Sequence, residues 1–125
     1  MVGTMFSWQA KRRAHHLLVS LLTDEEYTQL ILHDYLEVRS PTTPRRVYRI
    51  PAHGGQVTVY DDGRPRLRLC VQPRHPLPDD DVVAMHKLMI EGNEREYLAR
   101  ANKFPVITVE TLRVRGLRLD LPFTS

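Results

Sequence analysis

Four arginines and a tyrosine stand at positions whose spacing could bring them onto one side of a β-sheet. Alternate residues of a strand point to the same face, so Arg45 and Arg49 pair in parity, as do Arg66 and Arg68, with Tyr60 on the strand between. A guanidinium is always charged, and its planar fork matches a phosphate or a carboxylate. An aromatic ring adds a flat surface on which an unpaired base can stack. Together these residue types make the chemistry of a single-strand or RNA platform. Arg113 and Arg115, with Arg118, extend the strip if the last strand joins the same sheet. The plainer alternative is a solvated face whose arginines keep a sheet edge from aggregating.

Other clusters carry weaker chemistry. Lys11-Arg12-Arg13 with His15 and His16 form a basic patch that reads most simply as the wet side of a helix. Cys70, His53, His75 and His86 offer thiolate and imidazole, which suit zinc. The C-x2-C, H-x3-H and H-E-x-x-H spacings are all missing, so no metal is expected. A Cys70 nucleophile assisted by histidine would need a third, orienting group, and none is evident. Asp79-Asp80-Asp81 could face a hard cation, yet acidic residues at a helix start are expected simply because they complement its dipole. There is no P-loop, G-x-G-x-x-G or G-x-S-x-G motif. The candidate site is therefore a nucleic-acid interface of Arg45, Arg49, Tyr60, Arg66, Arg68, Arg113 and Arg115, with no catalytic residue, metal or cofactor.

Composition fits such a module. The 125 residues suit one domain spanning 1–125, and 42% hydrophobic with 26% charged is the balance of globular chains. Net charge is +3, and Lys11, Lys87 and Lys103 are the only lysines, so arginine supplies 15 of the 18 basic residues. That favours anionic partners, although codon composition alone can also enrich arginine. No apolar run is long enough to span a bilayer, and the start lacks a signal-peptide plan, so no membrane partner is expected. Cys70 is the only cysteine, which excludes an intrachain disulfide and suggests a reducing, cytoplasmic home.

The elements that must position the site follow from periodicity. Phe6, Ala10, Ala14, Leu17, Leu18 and Leu21 recur at helical spacing, and Thr23 with Glu26 forms a capping-box pattern. These predict a helical pair over about 7–33. From Tyr35 the period changes to two, giving a strand and then a three-stranded meander over about 45–71, within a strand region from about 35. Asp62-Gly63 marks one hairpin turn and His53-Gly54-Gly55 the other. Tyr48, Ile50, Val57, Val59, Leu67, Leu69 and Val71 share the apolar parity, so one face of the sheet needs a cover of helices. Past a proline-rich connector, two helices are predicted over about 79–102, with Val82, Met85, His86 and Met89 inward and a stop at Gly92 before an Asn93 cap. Two more strands are predicted over about 106–121, with a bulge at Gly116. The class is α+β, order ααββββααββ, with an antiparallel sheet of four to six strands and helices on one face. The expected function is a small non-catalytic binding module for nucleic acid. The competing class is a protein-interaction or assembly subunit, with self-association left open, and an enzyme ranks third.

Overall fold

The structure, a computed structural model, describes residues 6–107. Two helices open it, α1 (Trp8–Leu21) and α2 (Asp24–His33). Four strands follow, β1 (Tyr35–Arg39), β2 (Arg46–Pro51), β3 (Val57–Asp61) and β4 (Arg64–Cys70), then α3 (Asp79–Arg100) and β5 (Asn102–Pro105). The strands form one five-stranded antiparallel sheet in the order β1-β2-β3-β4-β5, so the class is α+β.

Local chemistry sets the boundaries. The Ser7 hydroxyl accepts from the Ala10 amide and starts α1. Thr23 and Glu26 exchange both capping-box bonds, at 2.9 and 3.1 Å, and start α2. Asp34, left-handed at φ 59°, stops α2 and turns the chain directly into β1. Asp62 and Gly63 both have positive φ, 53° and 78°, the geometry of a two-residue turn that matches strand twist.

The parity argument holds in the sheet. Tyr48, Ile50, Val57, Val59 and Leu69 are fully buried beneath the helices, and Leu67 is partly buried. The helices differ from their predicted faces. Along α1 the buried line is Ala14 and Leu18, while Leu17 is exposed. In α3 the inward face runs through Val83, His86, Lys87, Ile90, Glu94 and Tyr97, with Val82, Met85 and Met89 only partly buried. Hydrophobic periodicity misassigns this helix because two of its inward residues are charged and find partners inside. The ammonium of Lys87 bonds Glu26 at 3.0 Å and Glu91 at 2.8 Å, tying α3 to α2.

The break expected near Gly92 is a kink. Asn93 leaves helical geometry at φ −156°, and its side chain accepts from the Glu96 amide to restart the helix. The last described strand begins at Asn102, earlier than predicted. Asn102 to Pro105 pairs with Cys70 to Leu67, and all four residues are exposed, so no alternation reveals the strand. The strand predicted from residue 106, with its bulge at Gly116, lies almost wholly outside the described residues. A register shift does occur between Val59 and Tyr60, where Pro65, not Arg66, faces Tyr60. Among the described residues, no helix is long and apolar enough to cross a membrane.

Candidate functional site

The sheet face turned away from α3 carries the predicted site. Directly opposed residues cross it in one row, Glu37, Arg49, Thr58, Arg68 and Phe104, one from each strand. A second row holds Arg39, Val47, Tyr60 and Pro65.

Arg49 is the centre of the face. Its guanidinium carbon lies 4.2 Å from the Tyr35 ring centroid and 4.5 Å from that of Tyr60. A cation held between two rings gains from both π faces. Nη1 donates to the Tyr60 hydroxyl at 3.1 Å and Nη2 to Glu37 at 3.2 Å, while Nε is buried without a partner. The His33 ring stacks on Tyr35 at 5.6 Å, so four planar groups run in series. Gln29 fixes the end of the row: it donates to the Glu37 carboxylate and accepts from the Glu37 amide. That second bond also satisfies a donor on edge strand β1.

The other predicted residues are not one strip. Arg45 precedes β2 in a left-handed turn at φ 64°, so strand parity does not place it. It pairs with Asp62 at 3.3 Å, both side chains being largely exposed. Arg66 sits at the register shift and reaches Asp61 at 3.6 Å. That carboxylate belongs to the helix-covered side, where it grips Arg46 through two bonds of 2.7 and 2.8 Å. The Arg46 bonds hold the Asp61 carboxyl below its usual range. Arg68 is exposed and faces Thr58 on one side and Phe104 on the other. Arg113 and Arg115 lie outside the described residues. The structure thus brings Arg49, Tyr60 and Arg68 together and separates Arg45 and Arg66 from them. Sequence reasoning missed Tyr35, which shares parity with Glu37 and could have been found, and Phe104, which lies in a strand without alternation.

Beneath the sheet is a second polar cluster. Glu94 is 5% exposed, and its carboxylate accepts from the Tyr48 hydroxyl at 2.6 Å and from the Thr42 hydroxyl. The kink at Asn93 comes immediately before it and sets its direction. Burial disfavours the Glu94 charge, yet bonds from Ser40, Thr42 and Tyr48 outweigh this and hold its carboxyl below the usual range. Burial, aided by Glu94, pushes the Tyr48 phenol up. His86 lies 2.9 Å from the Tyr97 hydroxyl, and burial drives its pKa down to about 4. This cluster ties the loop before β2 to α3.

The sulfur and imidazoles weighed for zinc are dispersed. His86 is buried against Tyr97, His53 lies near Asp34, and Cys70 faces Asn102 on the outer sheet. Among the described residues, no three such side chains converge to hold a metal ion. Comparison with known proteins gives no match: no family model fits the chain, and no curated protein or solved structure matches it significantly.

Proposed function

We propose that the chain is a small non-catalytic binding module whose outer sheet face takes single-stranded nucleic acid. The observation that carries this reading is the exposed pair Arg68 and Phe104, set directly opposite each other beside the Tyr35–Arg49–Tyr60 stack. An exposed ring needs an unpaired base to stack on it, which favours single strands over duplexes. Three of the arginines are answered by Glu37, Asp61 and Asp62, so attraction to phosphate is modest. Neutralising one or two phosphates gives a salt slope between about −0.7 and −1.4 for a single strand. Fluorescence anisotropy with a short labelled oligonucleotide tests this. Phe104→Ala should weaken binding by about 1–3 kcal/mol, the usual worth of one stacked base. Equal binding of the variant and the native protein, or no binding by either, refutes the reading.

One observation favours a second reading, an assembly subunit. Trp8, Leu17, Ile31 and Leu32 expose 67, 48, 57 and 68% of their surface on α1 and α2, apolar surface that a partner protein would cover. Light scattering of the purified protein, with and without oligonucleotide, separates the two readings.

A further inference from the structure

Between α1 and α2 lies a cavity of about 200 Å3, walled by aliphatic side chains of both helices and the Tyr27 ring. None of the outer-face residues takes part in it, so it stands apart from the function proposed above. Its mouth is polar and unbalanced. His15 Nδ1 lies 3.1 Å from Asp80, and His53 lies 3.5 Å from Asp34 and 3.8 Å from Asp79. Two carboxylates, Asp34 and Asp80, thus line the cavity beside two imidazoles, and among the described residues no lysine or arginine lines it.

The backbone adds to the same sign. Leu22 and Asp34, both cavity-lining residues, are the C-terminal caps of α1 and α2. Two helix carbonyl ends therefore border the space and favour cations, while the amide end of α3, which also borders it, is already met by its own Asp79 and Asp80. For size, a dry cavity of about 150 Å3 accepts benzene. We infer that this cavity binds a small primary amine with an apolar body, its ammonium at Asp34 and Asp80 and its body between α1 and α2.

Three probes of matched shape test the inference by calorimetry at about pH 8: 2-phenylethylamine, 2-phenylethanol and 3-phenylpropionate. The amine should bind measurably below about 10 mM, and more tightly than the alcohol, with the carboxylate weakest. Each exposed carboxylate contributes about a two- to fivefold preference, so Asp34→Asn with Asp80→Asn should lower amine affinity about tenfold and leave the alcohol unchanged. Asparagine tolerates the left-handed backbone at position 34, which keeps the cap intact. Ile31→Trp places an indole at the cavity wall from an exposed position and should abolish binding without loss of fold, as the thermal melt will report. Equal affinity for the three probes, no saturable amine binding, or undiminished binding to the Ile31→Trp variant overturns the proposal.

Discussion

Lowering the pH through the range of ordinary histidines should destabilise the protein through His86. This imidazole is 3% exposed, sits edge-on to the Tyr97 ring at 5.8 Å, and lies 2.9 Å from its hydroxyl. Burial lowers its pKa from 6.5 to about 4. The folded state therefore keeps it neutral where the unfolded chain already binds a proton. Stability contributed by the neutral form is complete above about pH 6.5, falls as pH drops, and stops falling below about pH 4. The gap of about 2.5 between the two pKa values corresponds to about 3 kcal/mol, most of it already lost at pH 4.5. Other groups titrate in the same range, so the native profile alone does not isolate the effect. His86→Gln keeps an acceptor for the Tyr97 hydroxyl and removes the titration. Urea unfolding of both proteins between pH 8 and 4 gives the difference directly. The native protein's advantage over the variant should shrink by about 2–3 kcal/mol on going from pH 7.5 to 4.5. A difference constant within about 0.5 kcal/mol across that range would refute the assignment of His86 as buried and neutral.

Three further outcomes are expected. Tyr48→Phe and Glu94→Gln should each cost about 1.5–3 kcal/mol, because the bond they share has a charged acceptor and is buried. Their double mutant should cost clearly less than the sum in urea unfolding, whereas additivity within about 0.5 kcal/mol would remove the bond from consideration. Lys87→Met should lower stability by about 1–3 kcal/mol, since Glu26 loses its cation while half-exposed Glu91 turns to water. Added salt should not reproduce that loss in the native protein, given a side chain only 6% exposed. Gly63→Ala should cost about 1 kcal/mol in a thermal melt, because φ of 78° strains any side chain, while Gly63→Asn should recover much of it.

The sheet was legible because its chemistry is local. Alternation in β2, β3 and β4 and the Asp62-Gly63 turn fix which residues face the helices, and Thr23 with Glu26 announces α2. What stayed hidden depends on partners distant in sequence. Nothing near Lys87 or Glu94 marks them as interior residues, since Glu26 and Tyr48 become their neighbours only on folding. Arg49 looked like a free phosphate contact because its two covering rings come from β1 and β3. Arg45 and Arg66 were misplaced for a different reason. A left-handed turn and a register shift each break the parity on which their positions relied.

The sheet order has a kinetic consequence. Strands β1 to β4 are neighbours in sequence as well as in space, so their pairings close short loops and cost little chain entropy. Strand β5 joins β4 only after the chain has travelled the length of α3 and passed its kink. Contacts that span such a separation cost more loop entropy than the hairpins and should form after them. The fifth strand is also short and wholly exposed, which places it among the segments that open first in the native state. Hydrogen exchange at Asn102 to Phe104 should then outpace exchange in β3. Phe104 arrives opposite Arg68 with that strand, so the outer row can lose one end while the stack around Arg49 stays assembled.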